Sequence, residues 1–171
     1  MKKGKSLVTS WHIGVAAEAF AAGLFARAGF DVSVQYGADQ PEYDLIVSQR
    51  DRMAKVSVKG SRDGKWGISQ AIVKKANYHE AAVMWMQKFD PRLLLCFVQF
   101  QGVPIDGMPR VYLARPHEVA TRLKASCGGV GSSTLYERHE WTSKAKGAGT
   151  IEQIPETWRF TPERVEELLL G

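Results

Sequence analysis

Tyr43-Asp44-Leu45-Ile46-Val47 and Lys55-Val56-Ser57-Val58-Lys59 are the two stretches whose reading decides the fold. Both are short, rich in β-branched residues and of strand length. The second alternates cleanly. Val56 and Val58 address one side of a strand, and Lys55, Ser57 and Lys59 address the other. A polar turn over residues 49–53 separates them. An acid, Asp44, therefore opens one strand, and an amine, Lys59, closes the next.

Reading outward, Ser10 is a plausible helix N-cap, and residues 14–28 have helical spacing with Gly29 as the stop. Ile13, Ala17, Phe20 and Leu24 form one apolar stripe. Beside it, Glu18 runs with Ala21, Ala22 and Phe25 at i, i+3, i+4 and i+7, so a carboxylate sits among residues expected to pack inward. Residues 30–36 alternate as a strand, and residues 37–41 form a loop. Residues 60–67 read as a loop or a short irregular strand. Residues 77–88 read as a helix burying Ala81, Met84 and Trp85. The continuous apolar run of residues 93–100 suits a central buried strand. Residues 110–115 form a further strand, and 116–125 a helix opened by Pro116.

This order predicts an α/β fold with a mixed β-sheet flanked by helices. Residues 128–133, Gly-Gly-Val-Gly-Ser-Ser, read as a linker. The expected division is a core over residues 1–127 and a small C-terminal extension, 128–171, packed on it. The extension carries a strand at 135–141, a basic loop at 143–149 and a short helix from Thr161. Trp141 and Trp158 are expected to pack it down.

The chain has 171 residues and a net charge of +5. Residues 1–127 hold 18 Lys and Arg against 11 Asp and Glu; residues 128–171 hold 5 against 7. The densest basic stretch is residues 50–75, with Arg50, Arg52, Lys55, Lys59, Arg62, Lys65, Lys74 and Lys75 opposed by Asp51 and Asp63. Such a stretch suits a polyanion, because phosphate contacts dominate nucleic-acid affinity. Trp66 and Tyr78 interleave with it, as stacking platforms or as core. Cys96 lies in an apolar run and reads as a small buried hydrophobe. Neither it nor Cys127 has a nearby Cys/His cluster, and the four histidines are scattered, which argues against a zinc site. No apolar run approaches the length that spans a bilayer, and the basic start lacks the apolar core of a signal peptide. The expectation is a cytoplasmic protein with no membrane partner.

The constellation that carries chemistry is Glu18, Asp44, Ser57 and Lys59. Phosphodiester hydrolysis commonly uses a divalent cation held by carboxylates, with a lysine beside it to offset developing charge. The two stretches, with an upstream helix carrying Ala17-Glu18-Ala19, resemble motifs II and III of the PD-(D/E)XK nuclease superfamily. The similarity is greatest to the branch of Holliday-junction resolvases and PD-(D/E)XK homing endonucleases, and it covers residues 10–125. It implies a restriction-endonuclease-like core in αβββαβ order. It implies Asp44 as the metal-binding aspartate, Lys59 as the catalytic lysine and Glu18 as the helix glutamate supporting Mg2+, with Mn2+ as a substitute. Ser57 departs from the pattern, standing where the family places an acid. Glu42, two residues before Asp44, and Gln70, after the third strand, are the candidates to compensate. Ser61 and Arg62 would contact phosphate. The implied activity is a metal-dependent DNA endonuclease on duplex or branched DNA, working as a homodimer or higher homo-oligomer. The alternative is a catalytically inactive nucleic-acid-binding or protein-interaction relative.

Overall fold

Between Ser10 and Ala26 the chain is almost free of charge and contains no proline, and it forms one long helix, α1 (Ser10–Arg27). A computed structural model describes residues 7–35, 42–73 and 77–170. Thr9, not Ser10, takes the cap position, and its N–H donates to His12 Nδ1 at 3.1 Å. Gly29 adopts φ 87°, which lets the chain leave the helix sharply. It leads into β1 (Asp31–Val34).

Two further strands follow as a hairpin, β2 (Leu45–Gln49) and β3 (Arg52–Ser61). β3 is longer than its apolar alternation predicts. Its first residues pair with β2 (Gln49 opposite Arg52), and its last pair with a later strand (Ser61 opposite Gln99). A short β4 (Lys65–Gly67) and the helices α2 (Gln70–Val73) and α3 (Tyr78–Met86) complete a crossover to β5 (Leu94–Gln99). β6 (Arg110–Ala114) and α4 (Pro116–Ala125) come next.

The main sheet has the order β1-β2-β3-β5-β6. Only the β3–β5 pair is parallel; the other three are antiparallel. The sheet is thus mixed, as the element order predicts. Every residue of β5 is buried, which is what a central strand covered on both faces requires. On one face, Ala17, Ala21 and Phe25 of α1 pack on Leu45, Val56, Val58, Leu94 and Cys96. On the other, Ala82 and Trp85 of α3 and Val119 and Leu123 of α4 pack with Leu95 and Phe97. Each large side chain buried in this way contributes ~1.5–3 kcal/mol. Met84, expected inside, is half exposed because Ala81, Ala82 and Trp85 turn to the sheet instead.

Residues after 128 are woven into both cores. Residues 135–141 do not form one strand. β7 (Thr134–Tyr136) pairs with β4, and β8 (Arg138–Glu140) pairs with β9 (Ile151–Gln153). Leu135, Ile154 and Trp158 join the α3–α4 core. Val165 and Leu168 of α5 (Pro162–Leu170) join the α1 core. Within residues 128–133, Gly131 and Ser132 are buried and residues 128–130 are exposed. Gly131 has φ 98°, and a Cβ there would fall 2.7 Å from that of Tyr78. Among the described residues no helix is long and apolar enough to cross a membrane.

Candidate functional site

β2 begins only at Leu45, opposite Val56, while β3 runs on to Ser61. Beyond Val56, β3 has lost its backbone partner on that side. Asp44 fills the gap. Its own N–H donates to the Val56 carbonyl at 2.8 Å, and its carboxylate accepts the Val58 N–H at 2.6 Å. The carboxylate thus stands in for the missing strand, in the notch at the end of β2.

Glu18 approaches this notch from α1. Burial lifts its pKa above the ordinary carboxylate value, the Asp44 charge lifts it further, and the Lys59 ammonium pulls it back. α1 comes this close because β3 has a glycine beneath it. A Cβ on Gly60 would lie 2.8 Å from the Ile13 carbonyl and 2.9 Å from the Ala17 Cβ. Cys96 is fully buried opposite Val58; burial pushes its thiol pKa up, and Asp44 adds to the rise.

Lys59 is exposed and aligned with Phe97, so by strand alternation it leaves β3 on the face opposite α1. Its carbonyl accepts the Trp66 indole N–H at 2.9 Å. Trp66 itself is buried against Phe97 and Tyr112, so it is a core residue anchoring the strand end and no stacking platform. Glu18 and Lys59 therefore come from opposite faces of the sheet, on either side of the strand that Asp44 is bonded to. A cleft of about 370 Å3 runs from Val58 toward β4, lined among others by Ser10, Ile13, Lys59, Arg62, Lys65 and Trp66, with Glu18 and Asp44 outside its lining.

The other expected residues fall less neatly. Ser57 is 2% exposed and aligned with Leu95 of the α3–α4 core. Glu42 is exposed. Gln70 donates to Thr134 Oγ1 at 3.2 Å, tying α2 to β7. Ser61, expected at a phosphate, is buried, with its hydroxyl donating to Asp63 and accepting from Gln99. Lys74 and Lys75 lie outside the described residues.

The described part of the basic stretch, residues 50–65, is strung along β3 and into β4. Arg50 and Arg52 sit at the β2–β3 turn, and Arg62 lies beyond the far end of β3. Ten residues of strand separate them by roughly 30 Å. Lys55, between them, lies 4.8 Å over the Tyr43 ring. The cations lining the cleft are Lys59, Arg62 and Lys65, the last 4.0 Å from Asp63.

Among the described residues no three His, Cys, Asp or Glu side chains form a metal-ligand group. The pair present is Glu18 and Asp44. Two neighbouring carboxylates, one of them resisting ionisation, form a donor set that a divalent cation relieves. Mg2+ keeps several waters and is commonly held by one or two carboxylates plus substrate phosphate, so Glu18 and Asp44 are the residues that would hold one. Comparison with family models, with curated proteins and with solved structures found no match to this chain.

Proposed function

We propose that the chain is a metal-dependent DNA endonuclease of the PD-(D/E)XK type, with a restriction-endonuclease-like core, weakened by serine at position 57. One observation carries this reading. The Asp44 carboxylate is held at the Val58 amide, next in sequence to Lys59 on β3, and its charge reaches Glu18 on α1. The order α1-β1-β2-β3-β4-α2-α3-β5, which contains the expected helix-three strands-helix-strand succession with β4 and α2 inserted, supports it as well. Bound at Glu18 and Asp44, Mg2+ or Mn2+ would polarise a phosphate and make a bound water a better nucleophile. Lys59 offsets charge developing on the phosphate oxygens, and Arg62 and Lys65 hold the DNA backbone in the adjoining cleft. The substrate is duplex or branched DNA, handled in the cytoplasm by a homo-oligomer.

Burial of Ser57 and the two-carboxylate donor set favour a second reading, a non-catalytic nucleic-acid binder or protein-interaction relative on the same scaffold. Nicking of supercoiled plasmid with Mg2+ or Mn2+, for wild type and Lys59→Ala, separates the two. Nicking by wild type and its loss in the variant supports the nuclease. Salt-dependent binding with no nicking by either protein gives the site to the binder.

A further inference from the structure

Trp141, expected to pack the C-terminal residues down, joins neither core; Trp158 does so. Trp141 is only half-buried. Its indole N–H is enclosed yet bonds to no acceptor among the described residues, in contrast to that of Trp66. A buried indole normally finds such a partner, so this ring is no anchor of the fold. It belongs instead to a cluster of half-buried rings outside both cores. His139 stacks on Tyr136 at 4.1 Å and 19°, and it meets Trp141 edge-on at 4.5 Å.

Tyr136 and Trp141 line a pocket of about 400 Å3 together with Tyr78, Ser133, Thr134 and Lys146, among others. Among the described residues no carboxylate lines it. Glu137 and Glu152 are engaged elsewhere, the first on Arg110 and Tyr112, the second on Arg122 and the Cys127 N–H. The β4–β7 pairing joins this pocket to the basic cleft. Tyr136 stands directly opposite Lys65. Opposed residues of an antiparallel pair project from the same face, with Cβ atoms about 5 Å apart. Trp66 and Leu135 take the other face and are buried. Lys65, in the cleft, and Tyr136, in the pocket, therefore leave the ribbon side by side.

We infer that this pocket takes an unpaired nucleobase of the DNA strand whose phosphates lie on Lys59, Arg62 and Lys65. The inference rests on the proposed DNA binding, and it names which DNA. Stacking on a protein ring needs an open base face. An unpaired nucleotide offers one, whereas within a duplex the neighbouring pairs cover it. Every base has such a face, so the selection is for DNA structure and not for sequence. The pocket volume lies in the range of about 300–1,000 Å3 usual for small ligands, and Ser133 and Lys146 add polar groups for the base edge or its phosphate. A fully paired duplex engages the cleft cations alone. The preferred substrate is therefore branched or tailed DNA over plain duplex.

Fluorescence anisotropy tests it with two labelled DNAs of equal phosphate number, one fully paired and one ending in unpaired nucleotides. EDTA keeps cleavage out of the readout. Wild type should bind the tailed DNA at least about fivefold more tightly. Charge alone favours the paired DNA, because single-stranded phosphates carry the weaker electrostatic effect. Tyr136→Ala and Trp141→Ala should lose the preference while binding paired DNA as wild type does, which also shows that they fold. Tyr136→Phe, which keeps the ring, should keep the preference. Deoxyadenosine monophosphate alone should bind far more weakly than the tailed DNA, since it lacks the cleft contacts. Equal wild-type affinity for the two DNAs overturns the inference and leaves the nuclease reading standing, and so does an unchanged preference in both alanine variants. Mononucleotide binding as tight as that of the tailed DNA overturns it too and gives the pocket to a free nucleotide. Binding of neither DNA by wild type removes the DNA reading itself along with it.

Discussion

The Asp44 carboxylate and the Val58 amide meet at 2.6 Å in the gap where β2 has ended and β3 continues. One side chain there serves two ends. It completes the sheet by satisfying an orphaned backbone donor, and it holds a negative charge beside Glu18 and Lys59. A strand-end aspartate with a purely local hydrogen bond would do only the first.

These two roles separate by substitution. Asp44→Asn keeps an oxygen to accept the Val58 N–H and should stay within ~0.5 kcal/mol of wild-type stability. Asp44→Ala leaves that donor unpaired and should cost about 1–3 kcal/mol. Both should lose Mn2+ binding by calorimetry. Wild-type Mn2+ affinity in Asp44→Asn would remove Asp44 from any metal site.

Glu18 makes stability depend on pH in a known direction. Its folded pKa is raised, so the native state binds its proton more tightly than the unfolded chain does. Stability is therefore lost as pH climbs from the ordinary value of 4.5 through the raised one. Glu18→Gln should unfold at a higher temperature than wild type at pH 7. The gap should close at about pH 3.5, where both side chains are neutral. Mg2+ should narrow the gap at pH 7 by stabilising the ionised pair. A Gln variant less stable than wild type at pH 7 would contradict the like-charge geometry.

At position 57, restoring an acid is no longer a simple repair. Ser57 is buried on the α3–α4 side. Ser57→Glu should cost about 2 kcal/mol or more in metal-free buffer, since a buried carboxylate lacks a partner. Mn2+ should recover part of that loss if the new oxygens reach the notch. Chemical denaturation with and without Mn2+ measures both. An unchanged midpoint without metal would show that the side chain escapes to solvent, and the described packing would be wrong.

The two ends of β3 should behave differently toward DNA. Arg62→Ala and Lys65→Ala, in the cleft, should each lower the slope of log affinity against log salt by about 1. Arg50→Ala, roughly 30 Å from Arg62 along β3, should leave the slope unchanged. Fluorescence anisotropy with a short duplex at several salt concentrations reads this out. Equal effects at both ends would restore the single continuous patch suggested by the linear order of residues.

Periodicity along the chain was enough for the order of α1, β1 to β3, α3, β5, β6 and α4, for the mixed sheet and for the burial of Cys96 and of β5; it missed α2 and the break between β7 and β8. These depend on local alternation and on apolar content, which any window of a dozen residues displays. Asp44 and Lys59 were expected to open one strand and close the next; Asp44 instead precedes β2, and β3 runs two residues past Lys59. The tertiary structure decided the rest, because it depends on where one element stops relative to another. The early end of β2 turns Asp44 into a sheet-completing acceptor. The length of β3 spreads the basic stretch over roughly 30 Å. The glycine at position 60 lets α1 settle close enough for Glu18 to sense both partners. None of these has a period, since each is a distance between residues far apart in sequence, set by backbone pairing and packing.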